Sequence, residues 1–420
     1  MVGIIIGASI FVQPSEVSSL VPSFGGMLLV WIVAGALTLV GALVCAELSS
    51  AYPETGGVYV FLRELFSPGA AFLWGWAMFW SMHSGIVAAI AMVFGRYMAA
   101  LAGAGDWAIR PLAVGAIIAL SAVNYVGVRP GSRLQAILTW IKLGAIGLLI
   151  ALLFGSVATQ GAVVQTAAPP PAMGDFLLAV GAGLFAFGGW HMVTYSAGET
   201  EDPQHTIPRA LLLGTLIVTA VYVALNGAYL TVLPVDKVLS SPRVAADAAA
   251  AVAGLPAARF VGALVVLSAL GAVNGIILAG PRVYLAMARD GLAFQWVGAV
   301  HERFRTPHHA IVAQAIWSSL LVLTGTYRGL FTRVVYTEWI FFAALAVGLV
   351  MARRRPQYRP VFRLPAVPIL PIVFTLACAM IVIEQIAAAP LDSLIGLAIV
   401  AVGLPVYVFA LRRGHGAPED

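Results

Sequence analysis

The chain has 420 residues, of which 61% are hydrophobic and only 10% charged. A soluble domain carries about a quarter of its residues as charged side chains, so a chain this long and this poor in charge cannot cover a water-exposed surface. It reads as an all-α polytopic membrane protein; the net charge of +5 does not argue for nucleic acid, because the basic residues lie in short stretches between apolar runs, where membrane orientation accounts for them.

A helix needs about 20 apolar residues to cross the hydrocarbon core. Twelve such runs follow one another, near 2–22, 27–46, 69–101, 108–127, 135–155, 176–197, 210–232, 259–287, 310–325, 333–351, 366–387 and 392–411. The third and eighth are long enough to tilt or to extend beyond the bilayer. With the N-terminus in the cytoplasm, the inward side carries Arg63, Arg129, Arg133, Arg209, Arg289, Arg303, Arg305, Arg353, Arg354, Arg355, Arg359, Arg363, Arg412 and Arg413. The opposite side carries Arg96, Arg110, Lys237, Arg243, Arg259, Arg328 and Arg333. Fourteen against seven predicts both termini in the cytoplasm of a multi-pass protein of the cell (inner or plasma) membrane.

The first run, "MVGIIIGASIFVQP", has no basic n-region, and "SFGGMLLVW" opens a second span soon after it, so a cleaved leader is a poor reading. Small residues interrupt this run at Gly7-Ala8-Ser9, and the sixth, "GLFAFGGWHMVTY", at Gly188-Gly189. The two runs are five spans apart, the spacing of an inverted repeat with spans 1–5 in residues 1–158 and spans 6–10 in 159–355, leaving 356–420 for two peripheral spans and the C-terminus. Paired Gly-interrupted segments in two halves point to a transporter's binding site, although glycine also lets membrane helices pack closely. A break frees backbone groups that lipid cannot satisfy, at several kcal/mol each, so a cavity or ligand must do so. A half-helix starting near Ser9-Ile10 aims N–H groups and a positive dipole end at an anion. Half-helices ending near Ile5-Ile6 and Phe185-Ala186 aim carbonyls at a cation. A ligand carrying both charges a few ångströms apart is an α-amino acid.

Further along the chain, Cys45 and Cys378 fall inside apolar runs as buried thiols. No disulfide framework or zinc spacing is present, the seven histidines show no metal-ligand spacing, and His308-His309 sits in a polar loop, so no metal or cofactor is expected. Lys142, in "LTWIKLGAIG", lies nine residues past Arg133, roughly 13 Å along a helix. That depth makes snorkelling difficult, and a lysine there marks function. The "ETEDP" carboxylates Glu199, Glu201 and Asp202 suit acid–base chemistry, but read better as a solvated loop capping the seventh helix. Arg282, in the eighth span, is expected to pair with a loop carboxylate such as Glu47 or Glu64, as an inner gate or structural bridge. Glu338, in "VYTEWIFF", either helps form the outer gate or touches the substrate, or is an interfacial carboxylate paired with Arg333 or a backbone donor. No nucleophile, base and orienting group fall on facing spans, which argues against an enzyme; the broken pair argues for a closed midplane site rather than a channel.

Taken together, "IIIGASIFVQP", "AELSSAYPETGGVYVFLRELF", "LFAFGGW" with "GETEDPQHTIPRA", "GAVNGIILAGPRVYLAMARDG" and "FRTPHHAI" resemble the amino acid–polyamine–organocation superfamily over essentially the whole chain, in particular bacterial relatives of the L-type amino acid transporters. The resemblance implies ten core helices in two inverted five-helix repeats with discontinuous helices 1 and 6, two peripheral helices, and alternating access around a midplane amino acid site. It implies an unwound, substrate-facing centre at Gly7, Ala8 and Ser9, with the carboxylate at the backbone of Ala8, Ser9 and Ile10 and the ammonium at the carbonyls of Ile5, Phe185 and Ala186. Phe185 would be the outer aromatic gate, unless it is an ordinary core residue, and Gly188 and Gly189 would permit the sixth-helix break. Ser9 stands where the family usually has glycine; its hydroxyl either donates to the carboxylate or restricts the pocket. His191 stands where relatives vary, and either tunes selectivity or packs as a neutral ring. Lys142 would replace the sodium ion of sodium-coupled cousins and bridge the first helix to the eighth near Ser268.

The expectation is sodium-independent exchange of small or medium neutral L-amino acids, with proton-coupled amino acid or polyamine symport as the alternative, since a buried lysine can titrate near neutrality. Animal relatives join a heavy chain by a disulfide; residues 102–107, between spans 3 and 4, hold no cysteine, so no such partner is expected. Only about six residues, roughly 9 Å of helix, precede the first break, where relatives have a longer half-helix and a cytoplasmic tail. The expectation is either a start upstream of Met1 or a shortened half-helix with a weaker Lys142 contact.

Overall fold

The computed structural model describes residues 1–165 and 169–408, without the side chains of residues 128–130, 132, 327, 328 and 331–335. Arg412 and Arg413, and the side chains of Arg129, Arg328 and Arg333, therefore lie outside the described residues. Every described regular element is helical. The first apolar run is broken: α1 (Val2–Ile5) and α2 (Gln13–Leu20) are separated by an unwound stretch and a 3-10 turn at Ser9–Phe11. There follow α3 (Phe24–Ala51), the short α4 (Val58–Leu65), α5 (Pro68–Ala77) and α6 (His83–Leu101), the last two joined through a wide π turn at Met78–Met82. Next come α7 (Ile109–Val126), α8 (Val128–Gln160) and α9 (Met173–Phe187), which breaks into a 3-10 segment at Trp190–Glu199. The chain continues through α10 (Pro203–Val232), α11 (Val235–Ser240), α12 (Val244–Arg289), α13 (His308–Thr324), α14 (Tyr327–Ala352), α15 (Ile369–Ala388) and α16 (Pro390–Val406).

Among the described residues, eight helices are long and apolar enough to cross a membrane, and three shorter apolar ones lie at His308–Thr324, Tyr336–Ala352 and Pro390–Val406. Local signals set several starts: Ser23 Oγ accepts from the Gly26 N–H at 3.2 Å to cap α3, and Ser67 Oγ accepts from Ala70 N–H at 3.2 Å ahead of Pro68 in α5. The eighth apolar run is longer than the sequence suggests, because α12 begins at Val244. It bends at Ala253-Gly254, where Gly254 takes φ +73°, a left-handed conformation that glycine adopts without steric cost. The leg that follows the bend, from Pro256 onward, corresponds to the expected span.

The helices α3 and α10 pack along each other, α12 packs on α6 and α8, and α14 on α15. Small residues bring backbones together: a side chain at Gly35 would come within 2.7 Å of Thr219 Oγ1 of α10. A polar brace ties α7, α8 and α12, with Asn124 Nδ2 donating to Asn274 Oδ1 at 2.8 Å and Asn274 Nδ2 to the Gly131 carbonyl at 3.0 Å. These packed helices surround the two broken segments, whose central residues are buried.

Candidate functional site

Both breaks open onto one cavity of about 20 Å³. The first run contributes Ile4, Ile5, Gly7 and Ser9; the sixth contributes Leu184, Phe185, Ala186, Gly188, Gly189 and Met192. Ile86 and Ile90 of α6, Ile276 of α12, and Glu338 and Trp339 of α14 complete it. A space of that size holds one or two water molecules. It is smaller than any amino acid, so a substrate enters only if the surrounding helices part. Ala8 and Ile10 are buried and do not line the cavity; their backbone flanks Ser9, which does.

That backbone is available. Among the described residues the N–H groups of Ala8, Ser9 and Ile10 donate to no carbonyl or side chain, whereas Phe11 N–H already bonds the Ala8 carbonyl at 3.1 Å. The carbonyl side is more occupied than the sequence suggests. The Ile5 carbonyl accepts from Gly7 N–H at 2.7 Å and lies 3.0 Å from the Tyr222 hydroxyl, which is also 2.9 Å from the Ala186 carbonyl. The Phe185 carbonyl accepts from Gly188 N–H at 3.0 Å. One phenol on α10 thus ties the carbonyl ends of both half-helices. The helix α9 ends at Phe187, slightly beyond the expected Phe185-Ala186, and Gly189 then takes φ +93°. A side chain there would be strained and would meet Ile4 Cγ2 at 2.9 Å, so this position is reserved for glycine.

Lys142 is 1% exposed. Its Nζ donates to the Gly3 carbonyl at 3.0 Å and to the Ile6 carbonyl, while Ser268 Oγ of α12 donates to the Gly7 carbonyl at 3.2 Å. Three carbonyls at the end of α1 are therefore satisfied from α8 and α12, which is how an unwound segment survives in an apolar surround. Snorkelling does not describe Lys142, because its head reaches another helix. Glu338 is buried at the cavity wall, and its Oε1 has no hydrogen-bond partner among the described residues; the alternative partner, Arg333, has its side chain outside them. His191 does not line the cavity. Its ring is packed by Trp74, Trp190, Tyr195 and Phe342.

One end of the bundle is closed by ion pairs, and here the expected partners change. Arg282 binds Glu199 in a fork, Nε to Oε1 and NH2 to Oε2, both at 2.9 Å, and does not pair with Glu47 or Glu64. Glu199 is thus part of a bridge between α12 and the sixth run, not a free loop carboxylate. Glu47 instead takes Arg353 (2.8 and 2.5 Å) and the Leu364 N–H (2.7 Å). Arg63 of α4 reaches Glu64, Glu54 and, at 2.6 Å, Asp290 beyond α12, while Tyr59 donates to Asp290 at 2.7 Å. Burial of Arg63 opposes its charge, but the hydrogen bonds to Asp290, Glu54 and Glu64 outweigh burial and raise its pKa above the ordinary value. Because Glu199 is half exposed, a cycle of Arg282→Gln and Glu199→Gln is expected to give a measurable coupling of about 0.5–1 kcal/mol in thermal unfolding; no coupling would remove the pair from the layer of ion pairs that closes this end.

Tyr222 carried no signal of its own beyond being a polar ring in an apolar helix, where a buried hydroxyl needs a partner. What it bonds is set by residues 36 and 217 positions away.

Comparison with known proteins follows the same lines. A family model described as amino acid permease matches residues 1–405. The chain is 30% identical to the serine/threonine exchanger SteT of Bacillus subtilis, over 98% of this chain and 95% of that protein. It is 30% identical to the human b(0,+)-type amino acid transporter 1, over 93% and 81%, and 31% identical to the human large neutral amino acids transporter small subunit 2, over 99% and 79%.

Proposed function

Because this chain belongs to the amino acid permease family, we propose that it exchanges small or medium neutral L-amino acids across the membrane by alternating access, without sodium. The family makes it a membrane transporter of amino acids, within the amino acid–polyamine–organocation superfamily, and not an enzyme. Counting the broken α1–α2 run with the eight long and three shorter apolar helices makes twelve crossings, which we read as two inverted repeats, 1–158 and 159–355, with 356–420 peripheral. The end closed by the ion pairs is taken as the cytoplasmic one, with both termini there.

The observation that carries the site is one cavity lined by both breaks, with Ser9, whose N–H has no partner among the described residues, on one side and the carbonyl helix ends at Ile5 and Ala186 on the other. The substrate carboxylate would take the N–H groups of Ala8, Ser9 and Ile10, with the Ser9 hydroxyl as a further donor. The ammonium would approach the carbonyls of Ile5, Phe185 and Ala186, sharing two of them with Tyr222, beside Gly7, Gly188 and Gly189. Phe185 is taken as the outer gate. Walls of Ile86, Ile90, Leu184, Met192, Ile276 and Trp339 favour a small or apolar side chain. Lys142, seated on the first-helix carbonyls, supports sodium independence, since a second cation placed there would be repelled. That SteT is a serine/threonine exchanger supports exchange of small residues. No disulfide-linked subunit is invoked, as Cys45 and Cys378 are both buried.

Glu338 favours a second reading, proton-coupled or cationic substrate transport, because a carboxyl lines the cavity with one oxygen that has no partner among the described residues. Proteoliposomes separate the two. Radiolabelled serine should enter only when unlabelled amino acid is inside, and Glu338→Gln should leave that exchange within about twofold, as loss of an unpaired group predicts. Uptake driven by a pH gradient alone, and lost in Glu338→Gln, would establish symport instead. Failure to bind any amino acid would overturn both.

A further inference from the structure

A larger feature shares no residue with the central cavity. Between α7 and α13 runs a groove of about 600 Å³ whose lining residues are all uncharged, among them Val114, Ile118, Tyr125, Ile311, Ala315 and Leu320. Its wall is open: Ile118 is 57% and Ile316 59% exposed. The α7 side extends from residue 114 to 126, about 18 Å of helix at 1.5 Å per residue. That is close to one leaflet, half of a hydrocarbon core about 30 Å thick.

One end of the groove is polar and basic. The Tyr125 ring meets those of His301, Phe304 and His308, at centroid distances of 5.6, 6.0 and 5.7 Å. Thr306 Oγ1 donates to the Tyr125 carbonyl at 2.8 Å, which pins the loop before α13 to the end of α7. Arg303 stands 5.5 Å over the Phe304 ring, and Arg305 is held at φ 55°, an unusual conformation for a side-chain-bearing residue. Both arginines are exposed, and neither pairs with a carboxylate among the described residues. His301 Nδ1 accepts from the N–H groups of Arg303 (3.2 Å) and Phe304 (3.3 Å), which leaves the proton on Nε2 as a donor. His308, placed by the sequence in a polar loop, is the first residue of α13 and half-buried, with Nδ1 buried and without a partner among the described residues. Glu302 is the single acidic residue of the 301–309 stretch.

We propose that this groove and its basic end form a binding site for an anionic phospholipid. The acyl chain would lie between α7 and α13, and the phosphate would take Arg303, Arg305 and the His301 Nε2–H. An apolar slot one leaflet deep, ending at two arginines on the loop that follows α12 that pair with no carboxylate among the described residues, is complementary to a lipid with a charged head. Basic pockets between membrane helices recognise anionic headgroups by the same electrostatics. The proposal rests on the reading of the chain as membrane-embedded and not on its substrate.

The test uses the purified full chain in detergent, offered phosphatidylglycerol or phosphatidylcholine of identical acyl chains, with retained lipid counted by native mass spectrometry. Preference for phosphatidylglycerol should be about tenfold or more, the order that two arginines near a charged surface supply. Arg303→Ala with Arg305→Ala should remove the preference while gel filtration and thermal unfolding stay unchanged. Ala315→Phe, which fills the slot, should lower retention of both lipids. Equal retention of the two lipids by the unmodified chain, or an undiminished preference in the double variant, would overturn the proposal. So would a lipid-free dimer that Ala315→Phe dissociates, since the occupant would then be a second copy of the chain. Transport is not the readout, so a failure here is distinct from a failure of the exchange reading.

Discussion

Replacing Lys142 with alanine is expected to abolish exchange while leaving the protein folded. The Nζ of Lys142 is the partner of the Gly3 and Ile6 carbonyls, at the point where α1 ends and the unwound stretch begins. Leaving two buried carbonyls without a donor costs about 1–3 kcal/mol each, which together correspond to a loss of at least about thirtyfold in exchange rate. The fold should persist, because α1 has only four residues, whereas α3 on α10 and α12 on α6 and α8 meet along longer interfaces. Arginine should not rescue the variant, since a planar, larger guanidinium cannot replace a compact ammonium in a buried, helix-lined slot. Counterflow in proteoliposomes, read beside thermal unfolding, checks this; normal uptake by Lys142→Ala would remove the lysine from the mechanism.

Tyr222→Phe is expected to raise the KM for exchange about tenfold, with a small change in thermal stability. The hydroxyl has one proton and two carbonyl neighbours, Ile5 at 3.0 Å and Ala186 at 2.9 Å, so it holds the carbonyl ends of both broken helices at a fixed separation. Removing it withdraws one donor shared by the two carbonyls; Ile5 keeps the Gly7 N–H at 2.7 Å, and a buried acceptor left without a partner costs about 1–3 kcal/mol. The ring itself remains, with its edge against Trp31 and its contact to Phe187, so packing is retained. A substrate ammonium could satisfy one of the freed carbonyls, which is why the expected effect is on apparent affinity and is smaller than for Lys142. An unchanged KM would show that the two helix ends are positioned without the phenol.

Much of the bundle was legible from local features. Apolar runs of membrane length are a property of composition along the chain, and a charge or a glycine inside one stands out without any knowledge of neighbours. Gly7, Gly188, Gly189 and Lys142 were legible for that reason. The bend at Gly254 was not, because the alanine-rich stretch before it, from Val244, has the apolar character of helix without the length of a span.

What the sequence by itself determined was the class of the molecule, the positions of its two helix breaks and the anomalous lysine. Each depends on residues close together in the chain and on the cost of leaving backbone or charge unsatisfied in lipid. Which partners answer those breaks was decided only by the tertiary structure. Arg282 takes Glu199, 83 residues away, and leaves Glu47 to Arg353. Tyr222 reaches Ile5 across 217 residues, and Tyr125 gathers the loop of His301 to His308 at the end of an apolar groove. Hydropathy records how apolar a helix is but not the direction in which each side chain points once ten or more such helices pack together. Hydrogen bonds and ion pairs act over about 3 Å, so they register only the faces that packing brings into contact.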